Sequence, residues 1–175
     1  MAKQYELEHP PSDGISRIKF HPTDDTRLLL IASHHAHAAA VLDIAFGNTT
    51  SFSGGLDRRL FSWEENFTTE RELGRHDGEI SALEYAPSHS ILLSGSWDRT
   101  MRAWDERAAQ PMVSKVELEE RVYSMSAEGN LAVVALAGRK FLVFDVRNLG
   151  TPLEERESSL KYPTRCVKLM PSGQG

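Results

Sequence analysis

A pattern of about forty residues occurs twice in this chain, and that period constrains the fold more than composition does. The stretch "HAAAVLDIAFGNTTSFSGGLDRRLFSW" lies over "HDGEISALEYAPSHSILLSGSWDRTMRAW". His37 falls on His76, Val41 on Ile80, Phe46 on Tyr85, Ser53 on Ser94, Asp57 on Asp98 and Trp63 on Trp104. The offset is 39 residues at the histidines and 41 at the tryptophans, so the second copy has one loop longer by two. A third copy aligns Val122 with Ile80 and Asp145 with Asp105, and a fourth begins at Cys166.

Within each copy the apolar residues are spaced for strands. "ISRIKF", "VLDIAF", "RRLFSW", "ISALEY", "ILLSGS", "RVYSMS", "LAVVALA", "KFLVFDV" and "RCVKLM" are short and β-prone. Several alternate apolar with polar or small residues, and Gly, Pro, Asn, Asp and Ser separate them. The best helical run, "HHAHAAAVLDIAF", ends in a strand-like segment and lacks a cap. A period near forty with four strands and Trp-Asp endings marks a β-propeller blade. The fold class is therefore all-β, a partial WD40 propeller of about three and a half blades. Its segments are 1–13 as an N-terminal stretch, then 14–36 (incomplete), 37–75, 76–118 and 119–160, with 161–175 opening the next blade.

In a WD blade the turn aspartate accepts from the histidine that opens the blade. The histidine bonds a strand serine, and the serine bonds the indole N–H. Such a chain satisfies polar groups that the sheet buries. The structural sets are His37, Ser53, Asp57, Trp63 and His76, Ser94, Asp98, Trp104. Ser96 shares the strand parity of Ser94 and is the alternative serine. The third copy lacks the set, because Gly138 stands near the turn position. A His–Asp pair that recurs once per blade reads as scaffold, not as a catalytic dyad.

Finer likeness lies between these signatures. "AVLDIAF", "SGGLDRRL", "HDGEISALEY", "SGSWDRTMRAWD", "LAGRKFLVFDVRNLG" and "RESSLKYPTRC" resemble the WD-repeat mitotic-checkpoint proteins of the Bub (budding uninhibited by benzimidazoles) type. The likeness runs from about Gly14 to the end of the chain, with one break. It implies a non-enzymatic adaptor of the spindle assembly checkpoint. Such an adaptor binds Bub-type kinases through their GLEBS peptides and docks on phosphorylated MELT motifs of the kinetochore scaffold. A ubiquitin-ligase checkpoint complex is a further implied partner. Location would be the nucleus and kinetochore, with the cytoplasm as a second place. The related Rae/Gle propellers of mRNA export and the nuclear pore are the alternative.

The resemblance assigns recognition residues. Trp97, just before the turn Asp98, corresponds to a tryptophan that clamps the GLEBS peptide on one face. Tryptophan brings large apolar area with few rotatable bonds, which suits it to a binding hot spot. Arg165, with Lys161 beside it, corresponds to the reader of the phosphorylated threonine. Arginine's planar fork fits a phosphate. The bland alternatives are a Trp97 that covers the blade edge and a solvated Lys161–Arg165 pair.

Departures accompany the likeness. Strand starts at Ile15, Val41, Ile80, Val122 and Cys166 are 26, 39, 42 and 44 residues apart, so the first blade is short. "HHAHAAA" follows "LLLIAS" where a Trp-Asp turn and another strand belong, and the family's partner tryptophan falls in that gap. Three and a half blades leave open edges. The expectation is a fragment or spliced form, with a non-functional fragment as one reading.

Other chemistries are not supported. His34, His35 and His37 have no nearby cysteine or carboxylate at ligand spacing, so neither a metal nor a cofactor is expected. Cys166, the single cysteine, falls at an apolar strand position and is expected to pack quietly. It allows no internal disulfide, which fits a reducing compartment. A net charge of −5 argues against nucleic acid as a direct partner. The N-terminus lacks an apolar signal region, and no apolar run approaches the roughly 20 residues of a membrane span. No glycine-rich phosphate loop and no serine nucleophile elbow are present.

Overall fold

The computed structural model describes residues 15–20, 29–31, 37–64 and 69–170. Among these residues every regular element is a strand. A hairpin of β1 (Ile18–Phe20) and β2 (Leu29–Ile31) comes first. The first four-stranded sheet follows: β3 (Val41–Phe46), β4 (Thr50–Gly55), β5 (Arg59–Glu64) and β6 (Glu70–Arg75). The second holds β7 (Ile80–Ala86), β8 (Ile91–Ser96), β9 (Thr100–Trp104) and β10 (Met112–Glu117). The third holds β11 (Val122–Glu128), β12 (Leu131–Leu136), β13 (Lys140–Asp145) and β14 (Glu154–Glu157). Each is an antiparallel meander in chain order, the architecture of a WD40 β-propeller in part. The "VLDIAF" end of the alanine-rich run is β3, because pairing with β4 overrides local helix propensity. Residues 32–36, where the first blade breaks its pattern, lie outside the described residues.

The sheets pack face to face, which explains why the middle strands read as continuous apolar runs. On β8, Leu92 joins the core between the first and second sheets, with Phe52, Leu60, Ile80, Leu83 and Trp104. Its neighbour Leu93 points the other way, into the core between the second and third sheets, with Met101, Val122, Val134 and Phe144. Successive residues of one strand thus serve two cores. The last strand of a sheet has no such demand, and β14, with the sequence EERE, is exposed throughout. Its charges also guard a free edge.

Close approach requires glycine on the middle strands. A Cβ on Gly54 would lie 2.8 Å from Ile80 Cγ2, and one on Gly95 would lie 2.4 Å from Val122 Cγ1. The first residue of each following inner strand occupies that space.

The inner strands carry a bulge at one repeated place. Register shifts occur between Val41 and Asp43, Ile80 and Ala82, and Val122 and Ser124. A bulge leaves one residue unpaired and re-aims it. Neighbouring inner strands then join through side chains. Ser81, the bulged residue of β7, donates to the Val122 carbonyl at 2.7 Å, and Ser16 bonds the Val41 carbonyl. Asp43 accepts from the Leu83 amide at 2.8 Å, and Ser124 and Ser126 accept from the Val167 and Leu169 amides at 3.1 Å.

That last contact corrects one expectation. The segment "RCVKLM" has no strand pairing, and Cys166 is exposed instead of packed. Val167 and Leu169 face β11 and are half-buried, whereas Cys166, Lys168 and Met170 have the opposite parity and face outward.

Candidate functional site

Two polar chains stand at the junctions between strands. In the first sheet, His37 Nδ1 meets Asp57 Oδ1 at 2.9 Å and His37 Nε2 meets Ser53 Oγ at 2.9 Å. The Trp63 indole donates to the same Ser53 Oγ at 2.8 Å. In the second, His76 Nδ1 meets Asp98 Oδ2 at 3.0 Å and His76 Nε2 meets Ser94 Oγ at 2.7 Å. Trp104 Nε1 donates to Ser94 Oγ at 2.7 Å. A carboxylate only accepts, so Nδ1 carries the imidazole proton and Nε2 accepts from the serine. Ser96 belongs to the turn instead, its hydroxyl accepting from the Asp98 amide at 3.0 Å.

The second chain is charge-tuned. Burial pushes the His76 imidazole down to about 4, against the attraction of Asp98. Burial also acts on Asp98, raising it, but bonds from the Thr100 hydroxyl and the Asp77 amide, with His76 beside it, hold it at about 2. At neutral pH the pair is a neutral imidazole on a carboxylate. Both imidazoles are buried and committed to their bonds, which leaves neither exposed to a substrate.

The turn that carries Asp57 and Asp98 repeats in all three sheets, with Gly138 in the aspartate's place in the third. Arg58, Arg99 and Arg139 hold φ values of 67°, 65° and 67°. Leu56, Trp97 and Ala137 occupy one equivalent place, each donating its amide at 2.9 Å, to Ala40, Glu79 and Arg121 carbonyls respectively. The backbone is therefore indifferent to the side chain there. Trp97 is partly buried, and its Nε1 is buried with no hydrogen-bond partner among the described residues. Buried indole N–H groups ordinarily have a partner.

Lys161 and Arg165 stand apart from that turn. Arg165 is exposed, its guanidinium stacked on the ring of Tyr123 with 4.5 Å to the centroid. Tyr123 is the bulged residue of β11. Lys161 is exposed and lies 5.8 Å over the Tyr162 ring. No contact joins Lys161 to Arg165 among the described residues. His34 and His35 fall outside those residues, and His37 is engaged by Asp57 and Ser53.

Sequence reasoning missed the charged groups along the inner strands. Asp43 is buried, takes an ion pair from Arg17 at 2.9 Å and accepts from the Ile44 and Leu83 amides. Lys19 and Lys168 both reach Glu84, at 3.4 and 2.8 Å. The available signal was a charged residue inside an apolar inner strand, "VLDIAF" for Asp43 and "ISALEY" for Glu84.

Comparison with known proteins now bears on this geometry. Residues 67–105 match the family model described as WD domain, G-beta repeat. The chain is 38% identical to the mitotic checkpoint protein BUB3.1 of Arabidopsis thaliana, across 97% of this chain and 56% of that protein. It is 29% identical to the mitotic checkpoint protein bub3 of Dictyostelium discoideum, across 98% of this chain and 57% of that protein. It is 26% identical to protein Rae1 of Drosophila melanogaster, across 94% of this chain and 55% of that protein. The chain spans little more than half the length of these relatives.

Proposed function

From the premise that this chain belongs to the Bub3-type WD40-repeat proteins, we propose that it is a non-enzymatic adaptor of the spindle assembly checkpoint. It presents a peptide-binding face at Trp97 and acts in the nucleus at kinetochores. The observation that carries this reading is the triplet Leu56, Trp97 and Ala137. All three make the same turn, so folding does not ask for an indole. A partly exposed indole that the turn itself does not require suits contact with a peptide through its ring. The occupant in this reading is the GLEBS segment of a Bub-type kinase.

Arg165 supplies the second contact, to a phosphorylated MELT-type threonine. Tyr123 supports the flat guanidinium from below and leaves its edges to solvent. Lys161 adds charge four residues upstream. The two polar chains built on His37 and His76 hold the sheets and take no part in binding.

Titrating a labelled GLEBS peptide into the protein tests this reading. Trp97→Ala should weaken binding by about 2 kcal/mol or more while moving the urea midpoint by under about 0.5 kcal/mol. Unchanged peptide affinity in that variant, or unfolding as severe as that of Asp98→Ala, would overturn the Trp97 site. The Rae1-type relatives favour a second reading, in which the occupant is a nucleoporin GLEBS segment and the location is the nuclear rim in interphase. Competition between the kinase and nucleoporin peptides separates the two.

A further inference from the structure

Lys19 and Lys168, 149 positions apart in sequence, converge on one carboxylate, Glu84. The other acid of the group, Asp43, is already served by Arg17 and by two backbone amides. Lys19 also donates to the Leu83 carbonyl at 3.2 Å, which fixes its stem. Lys19 also lies 3.9 Å from Asp43, so three cations, Arg17, Lys19 and Lys168, meet two carboxylates, Asp43 and Glu84, and one unit of positive charge is unmatched. The Lys168 side chain is 58% exposed, whereas that of Glu84 is 15% exposed, so the surplus faces solvent.

These groups open onto a cavity of about 360 Å³, large enough for a small ligand. Besides Lys19, Glu84 and Lys168 it is lined by Ala45, Phe46, Tyr85 and Pro87. Tyr85 is held as a wall by stacking on Phe52, with ring centroids 5.8 Å apart. The chemistry is thus cationic at one side and apolar or aromatic at the other.

The cavity is remote from Trp97. The Trp97 amide bonds the Glu79 carbonyl, just before β7 begins, and Glu84 lies five residues along that strand. At ~3.3 Å per residue the separation is roughly 16 Å.

We propose that this cavity is a second peptide site, which takes a carboxylate flanked by an apolar or aromatic side chain. The carboxylate would share Lys168 with Glu84 and lie within the field of Lys19. The apolar group would sit between Tyr85, Ala45 and Pro87. Charge complementarity selects the acid, and the walls select what stands next to it.

The test uses the full chain and 3-phenylpropionate as the probe, read by NMR shifts of the Ala45 methyl and the Tyr85 amide. Saturable shifts are expected, with the neutral amide 3-phenylpropionamide binding about tenfold more weakly. Lys168→Gln should weaken the acid by about tenfold and leave the amide unchanged. Trp97→Ala should leave both unchanged. Absence of saturable shifts, equal affinity for acid and amide, or full affinity in Lys168→Gln would overturn the proposal. So would binding of phenyl phosphate without binding of the carboxylate, which would make this a phosphate site. Lys168 is mostly exposed, so its removal leaves the fold intact, and an unchanged urea midpoint checks that.

Discussion

The second and third four-stranded sheets build the same junction from opposite chemistry. In the second, His76, Ser94, Asp98 and Trp104 form a hydrogen-bonded chain. In the third, ladder register places Val134 where Ser94 stands and Phe144 where Trp104 stands. Leu118 takes the histidine's place before the inner strand, and Gly138 takes the aspartate's place in the turn. Val134 and Phe144 are fully buried, and Leu118 packs against the same core. The turn itself is unaltered, since Arg99 and Arg139 hold φ values of 65° and 67°. The strand geometry therefore does not need the polar chain. A junction can be wholly polar and satisfied or wholly apolar, and the half-measure is what costs stability.

The sharpest way to break this comparison is to leave the polar chain half-made. Asp98→Ala removes the charged acceptor for His76 Nδ1, leaving it only the Thr100 hydroxyl at 3.0 Å, and removes the acceptor for the Asp77 and Thr100 amides. The expected loss is about 3 kcal/mol in urea unfolding, because a buried charged partner disappears and its donors remain. Replacing all four residues at once by their third-sheet counterparts should cost less than Asp98→Ala alone. A larger loss for the fourfold exchange would show that the two junctions are not equivalent.

Acid probes the same chain without mutation. Unfolded, an imidazole takes up its proton near pH 6.5, whereas folded His76 does so near 4. Between those values the unfolded state binds more protons. Stability is therefore full above pH 6.5 and is lost as pH falls toward 4, by about 3 kcal/mol in total from this group. Asp98 extends the loss below about 3.8, down to its folded value near 2. Urea midpoints measured from pH 7 to 4 should fall in the native chain. They should fall less steeply in the fourfold exchange, which has no histidine at position 76.

Packing separates the sheets more mildly. Gly95→Ala would drive a methyl into Val122 and the Met125 sulfur, with about 2 kcal/mol lost. The third sheet carries Ala135 at the equivalent place in the ladder. The smallest effect is expected at Gly138→Ala. A Cβ there meets only Glu120 Cγ, at 3.5 Å, and the change should be neutral or raise stability by up to about 0.5 kcal/mol.

The repeat, the strands of the three sheets and the members of both polar chains could be read from the chain alone, apart from the choice of Ser94 over Ser96. Each depends on local spacing: alternation within a strand, a three-residue turn and a period of about forty. The exchange to an apolar junction was visible only as the loss of a motif at Gly138. Its replacement by Leu118, Val134 and Phe144 was not, because apolar residues in a strand look alike wherever they point. The exposure of Cys166 was also hidden, since "RCVKLM" has strand spacing but only one face of it meets β11.

Sequence by itself determined the blade, because a blade is closed by neighbours within about forty residues. It also singled out Trp97, by its place before the turn Asp98 and by the family resemblance, whereas the equivalence of that place with Leu56 and Ala137 came from the backbone hydrogen bonds. Only the tertiary structure decided the inner-strand contacts. Glu84 meets Lys19 from 65 positions away and Lys168 from 84, and no local period encodes such a meeting. It follows from the angle at which one sheet packs on the next, which side-chain volume and the repeated bulge set together.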